Sequence, residues 1–88
     1  MKKDMCLKQM TMDIKVYGAD WCSDCIIVKN FFNSKKINFE YIIITDDPKA
    51  IAFVEKINKG KRIIPTIVIN NKIYSNPGIY QLNKMIYQ

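Results

Sequence analysis

The stretch Cys22-Ser23-Asp24-Cys25 holds the residues of this chain whose types and spacing could do chemistry. Thiols three positions apart fall on one face when they lie on a helix, so the pair can alternate between dithiol and disulfide. Beyond these two there is Cys6, and there is no histidine. A four-ligand zinc site of the usual Cys/His kind therefore cannot be completed within one chain. Dithiol redox chemistry or a metal shared between chains remains, and we read the pair as a redox dithiol. An odd number of cysteines in a short chain also argues against the disulfide framework of a small secreted domain.

Such a pair needs a helix start to position it. Upstream, Ile14-Lys15-Val16-Tyr17 alternates like a short strand, and Gly18-Ala19-Asp20 breaks the pattern. From Trp21 to about Ser34 the apolar positions Cys25, Val28, Phe31 and Phe32 follow helical spacing. Cys22 is thus expected in the first turn, where unfilled amide hydrogens stabilise a thiolate, with Cys25 one turn deeper. On this reading Cys22 attacks a disulfide, and Cys25 resolves the resulting mixed disulfide by attacking Cys22. Asp24 either opposes thiolate formation or is an exposed helix-start acid. Trp21 either forms an apolar lip beside the sulfur or packs at the helix start.

The remaining segments complete a small α/β domain. Phe39 to Ile44 is rich in β-branched and aromatic residues and reads as a second strand. Asp46-Asp47-Pro48 signals a helix start, Ala50, Phe53, Val54 and Ile57 give that helix an apolar face, and Gly60 is its stop. A third strand begins at or just after Pro65, since proline does not belong inside a central strand. Asn70-Asn71 suits a tight hairpin returning through Lys72-Ile73-Tyr74. Asn76-Pro77 opens a last helix with Ile79, Leu82, Met85 and Ile86 on one face. The order β-α-β-α-β-β-α implies a mixed four-stranded sheet flanked by three helices.

Composition bounds the rest. A chain of 88 residues allows one domain, and 49% hydrophobic content, including sixteen isoleucines, is enough for a core. The net charge of +6 comes from lysines scattered along the chain, with Lys59-Gly60-Lys61-Arg62 the one tight group. No basic stripe interleaved with aromatics is present, so nucleic-acid binding is not expected. No apolar run approaches the ~18 residues of a membrane span. Residues 1–12 have neither a sustained period nor the apolar core of a secretory signal, and are read as a flexible tail ahead of a domain over 13–88. A cytoplasmic monomer is expected. Cys6 in the tail is an incidental thiol or takes part in an intermolecular or regulatory disulfide.

The run Val16-Tyr17-Gly18-Ala19-Asp20-Trp21-Cys22-Ser23-Asp24-Cys25, with Ile64-Pro65-Thr66 downstream, resembles the glutaredoxins of the thioredoxin-fold superfamily. Trp21-Cys22, Asp24 and Asn76-Pro77 are most similar to mycoredoxin-like bacterial glutaredoxins. The resemblance implies a thioredoxin-like fold over residues 14 to 88, with Cys22 as nucleophile and Cys25 as resolving cysteine. It implies that Pro65 is a cis-proline facing the active-site sulfur, with the backbone of Ile64 pairing with bound thiol or peptide. The family lysine three residues before the nucleophile is replaced by Ala19, and the stretch Ser75-Asn76-Pro77-Gly78-Ile79 lacks the family's acidic residues. Lys61 and Arg62, just before the Pro65 loop, could then grip a glutathione carboxylate, or could belong to a solvated loop.

The function expected is reduction of protein or low-molecular-weight-thiol mixed disulfides, with no bound cofactor or metal. The electron donor would be glutathione, a mycothiol- or bacillithiol-like thiol, or thioredoxin reductase directly. The alternative is an iron–sulfur cluster carrier in which Cys22 of two protomers bridges a cluster, a reading motivated by Ser23 where proline is usual.

Overall fold

The structure is a computed structural model and describes residues 13–86. The tail, Cys6 and the last two residues lie outside the described residues. The elements follow the expected order: β1 Ile14–Gly18, α1 Ser23–Ser34, β2 Glu40–Ile43, α2 Pro48–Ile57, β3 Thr66–Ile69, β4 Lys72–Ser75 and α3 Ile79–Ile86. They form one four-stranded sheet in the order β2-β1-β3-β4. β1 runs parallel to β2, Val16 facing Tyr41, and antiparallel to β3, Val16 facing Ile67. β4 returns antiparallel to β3. This is the mixed sheet expected of one parallel crossover pair and a closing antiparallel hairpin.

Alternation along the strands sends side chains to two cores. Ile14, Val16, Ile67 and Ile69 pack with Val28, Phe31 and Phe32 of α1 and with Leu82 and Ile86 of α3. Tyr17, Ile42 and Ile64 pack with Ala50, Phe53 and Val54 of α2 in a second cluster with Ile44. Helices α1 and α3 thus cover one face of the sheet and α2 the other.

The ends of the elements follow local chemistry. Asp47 caps α2 by accepting the Ala50 N–H at 3.2 Å, with Pro48 in the first turn. The helix stops through Lys59 in the left-handed region (φ 57°), and the Gly60 N–H returns to the Glu55 carbonyl. Asn70 and Asn71 both have positive φ, at 49° and 72°, as a two-residue hairpin turn demands.

Two helix starts differ from the sequence reading. α1 begins at Ser23 rather than Trp21, because Cys22 is extended (φ −91°, ψ 116°) and serves as the N-cap rather than as a first-turn residue. α3 begins at Ile79 rather than at Asn76-Pro77. Asn76 is in the left-handed region (φ 48°), and its N–H is committed to the Pro65 carbonyl at 2.7 Å.

Candidate active site

The site forms where β1 ends, α1 begins and the loop into β3 arrives. Antiparallel pairing sets Tyr17 opposite Thr66. The chain leaving β1 toward Cys22 and the chain entering β3 through Pro65 therefore emerge side by side. The Ile64–Pro65 bond is cis, as the resemblance implied, and Pro65 is buried.

A polar network anchors that loop from below. The Thr66 hydroxyl donates to the Ile63 carbonyl at 2.6 Å, spanning the Ile64–Pro65 turn. Buried Asn58, at the end of α2, donates from Nδ2 to the Val54 carbonyl at 2.8 Å and to Thr66 Oγ1 at 3.2 Å. Its Oδ1 accepts from the Ser75 hydroxyl. No buried side-chain polar atom among the described residues lacks a partner, and a satisfied network of this kind fixes geometry rather than straining it.

Cys22 and Cys25 are both free thiols with sharply different surroundings. Cys22 is half-buried, and its sulfur accepts the Cys25 N–H at 3.4 Å. The sulfur occupies the place that a serine or aspartate oxygen takes in an ordinary cap. The sulfur lies at the N-terminal, positive end of a 12-residue helix. Cys25 is fully buried. Burial pushes its thiol up from the ordinary 9.0 to about 12, and the Cys22 sulfur adds to this, while the Ala19 backbone and the Tyr41 hydroxyl pull the other way. One sulfur is thus held at the surface beside free helix amides, and the other is held inside as a protonated thiol.

Two residues that the sequence reading passed over complete the surroundings of Cys25. Tyr41, on β2, donates from its hydroxyl to the Ala19 carbonyl at 2.7 Å. Burial and the neighbouring Cys25 push that phenol up from 10.0 to about 12. Gly18 leaves the room in which Tyr41 and Cys25 meet. A Cβ there would lie 2.8 Å from the Cys25 sulfur and 2.9 Å from the Tyr41 hydroxyl. The aromatic residue on β2 was legible only as a strand former, since its partners come from β1 and α1.

Of the residues expected to bind substrate, three come together. Trp21, Arg62 and Ile64 line a cavity of about 160 Å³ with Ala19, Ile44 and Thr45. Trp21 is 71% exposed, so it does not pack at the helix start as a core residue. Arg62 also reaches Glu55 on α2, its Nη2 and Nε lying 3.1 and 3.2 Å from Oε2. Lys61 is exposed and does not line the cavity. A broader depression of about 490 Å³ at the start of α2 contains neither cysteine. Among the described residues, no group of three or more His, Cys, Asp or Glu side chains is placed to hold a metal ion, and no observation favours the cluster-carrier reading.

A parallel β1/β2 pair, an antiparallel β3/β4 hairpin, three helices, and a Cys-x-x-Cys at a strand-to-helix junction beside a cis-proline define a thioredoxin-like protein. The sequence profile of the glutaredoxins matches residues 14–74, and the chain belongs to the glutaredoxin family. Mycoredoxin 1 of Corynebacterium glutamicum is 27% identical over 55 residues, covering 62% of this chain and 67% of that relative. Among solved structures, the thioredoxin-like protein BC3987 superposes with a TM-score of 0.72 at 25% identity, covering 82% of this chain and 97% of that one. A glutaredoxin from Archaeoglobus fulgidus shares the fold with a TM-score of 0.71 at 21% identity, covering 91% of each chain. No helix among the described residues is long and apolar enough to cross a membrane.

Proposed function

We propose that this protein is a dithiol oxidoreductase that reduces protein disulfides and mixed disulfides of low-molecular-weight thiols. The observation that carries the reading is the asymmetry of the pair: Cys22 caps α1 with its sulfur, and Cys25 is buried one turn behind it.

Cys22 thiolate attacks one sulfur of a substrate disulfide, RS–SR′. The Cys22–SR bond forms, the S–S bond breaks, and R′S⁻ leaves and takes up a proton. Cys25 then gives up its proton and attacks the Cys22 sulfur. The Cys22–Cys25 disulfide forms, and RS⁻ leaves and is protonated. The cysteine pair has lost two electrons and the substrate has gained them. A glutathione-type thiol, or thioredoxin reductase directly, returns the pair to the dithiol. The cavity beside Trp21 and Ile64 receives the apolar part of the thiol, and Arg62 meets a carboxylate. Lys61 contributes long-range attraction, and the Ile64 backbone beside Pro65 holds the incoming thiol in extended form.

Steady-state reduction of a glutathione mixed disulfide, with glutathione and its reductase as the electron supply, tests this. Saturable turnover is expected, lost in Cys22→Ser and retained in part in Cys25→Ser, because deglutathionylation needs one cysteine. Reduction of a protein disulfide should be lost in both variants. Full activity of Cys22→Ser would overturn the reading.

A further inference from the structure

Resting on the dithiol reading, we infer that Tyr41 is a positioning residue for the second half of the reaction, its hydroxyl turning from the Ala19 carbonyl to the Cys25 sulfur as that sulfur becomes a thiolate. The resolving step carries an electrostatic cost. Cys25 must carry negative charge at a fully buried position before it can attack Cys22. Helix amides serve Cys22, whose sulfur already takes the Cys25 N–H; the Ala19 backbone offsets part of the burial at Cys25, and a second donor would offset more.

Tyr41 is placed to be that donor. Its hydroxyl and the Cys25 sulfur both border the space above Gly18, at 2.9 and 2.8 Å from the point a Cβ would occupy, and each side chain bears on the other's proton. A hydroxyl has one hydrogen and two acceptor sites and rotates to suit its partners. While Cys25 is a thiol, the hydrogen goes to the Ala19 carbonyl at 2.7 Å, and the oxygen is free to accept the S–H. Once Cys25 is a thiolate, the same hydrogen serves the sulfur, and the phenol stays protonated because burial and the adjacent Cys25 both hold its proton.

Among the described residues, the other ionisable groups around the pair are few. Cys22 faces Cys25 from the cap of α1, Asp20 approaches Tyr41 from the loop after β1, and the Lys29 ammonium on α1 lies 4.8 Å from the Tyr41 ring centroid. Neither Asp20 nor Lys29 is a hydrogen-bond donor to the sulfur. Sequence alone could not find this contact, because Tyr41 and Cys25 meet only when β2 lies parallel to β1.

Stopped-flow reaction of the reduced protein with dithiobis(nitrobenzoate), in a Cys6→Ser background, separates the two steps. The first equivalent of thionitrobenzoate reports attack by Cys22, and the second reports attack by Cys25 on the mixed disulfide. Tyr41→Phe should slow the second phase roughly ten- to a hundredfold, the worth of a hydrogen bond to a charged group. The first phase should stay within about twofold, and the pH profile of the second should move alkaline by about one unit or more. A second phase of unchanged rate and pH profile would overturn the inference and leave the dithiol reading intact, as would equal slowing of both phases. An unreactive Cys22 in the parent would overturn both. Site-specific 3-fluorotyrosine at position 41 keeps the shape and strengthens the donor. It should speed the second phase at neutral pH, and no change would again overturn the inference.

Discussion

Gly18 and Cys25 are packed against each other so closely that the bare α-carbon of Gly18 is part of the cysteine's binding pocket. A Cβ at that position would meet the Cys25 sulfur at 2.8 Å and its Cβ at 3.0 Å. Real side-chain carbons do not approach so closely, so the end of β1 is kept bare for the sake of a sulfur seven positions further along the chain.

Gly18→Ala should therefore force Cys25 or Tyr41 to move. Overpacking of a tight interior costs about 1–3 kcal/mol, which for a domain of this size lowers Tm by roughly 4–8 °C per kcal/mol. Thermal unfolding of the reduced protein checks the magnitude. A variant as stable as the parent would show that the pocket is looser than the distances require.

Asn58 ties α2 to the Thr66 and Ser75 hydroxyls beneath the Pro65 loop. Asn58→Ala leaves the buried Thr66 hydroxyl with fewer partners and should destabilise the fold by about 1–3 kcal/mol. It should also raise KM for a glutathione mixed disulfide while leaving the reaction of Cys22 with a small alkylating reagent unchanged. Parallel denaturation, steady-state and alkylation measurements separate the two effects.

Glu55 holds Arg62 at 3.1 Å, with Arg62 exposed and Glu55 half-buried near the surface. A surface pair of this kind contributes about 0–1 kcal/mol to stability, so its main effect falls on binding. Arg62→Ala should raise KM for the glutathione mixed disulfide several-fold with little change in kcat or Tm. Glu55→Gln releases Arg62 for a substrate carboxylate and should lower KM. Steady-state kinetics on the two variants check the opposite signs.

Alkaline pH should weaken the reduced protein. The Cys25 thiol keeps its proton to about 12 when folded but loses it near the ordinary 9.0 when unfolded, and Tyr41 is raised in the same sense from 10.0 to about 12. Both groups therefore contribute their full stability below the unfolded values and lose it as pH rises toward the folded ones. Denaturant midpoints should fall between about pH 9 and 12. The fall should be shallower in Cys25→Ala and in Tyr41→Phe, and equal slopes in all three proteins would contradict it.

Much of this was legible along the chain. Strand alternation in Ile14–Tyr17, helical spacing at Val28, Phe31 and Phe32, the Asp47-Pro48 start and the Asn70-Asn71 turn each state a local preference that the fold obeys. The Cys22/Cys25 pair was legible for the same reason, since spacing within one helix is local. The starts of α1 and α3 differ from the helical pattern where a specific hydrogen bond outweighs propensity, local at Cys22 and between segments at Asn76. The Cys22 sulfur takes over the cap, and Asn76 is held by Pro65 from across the β3–β4 hairpin.

Read along the chain alone, the residues settle the order of elements, the apolar face of each helix and the Cys22/Cys25 spacing, because each rests on periodicity or spacing within a short segment. The tertiary structure alone decided what surrounds Cys25 and what anchors Pro65. Gly18, Ala19 and Tyr41 reach one sulfur from β1, the loop after it and β2. Asn58, Thr66 and Ser75 reach one another from α2, β3 and β4. Hydrogen bonds act over about 3 Å regardless of separation along the chain, so which donors meet which acceptors is fixed only when the sheet closes.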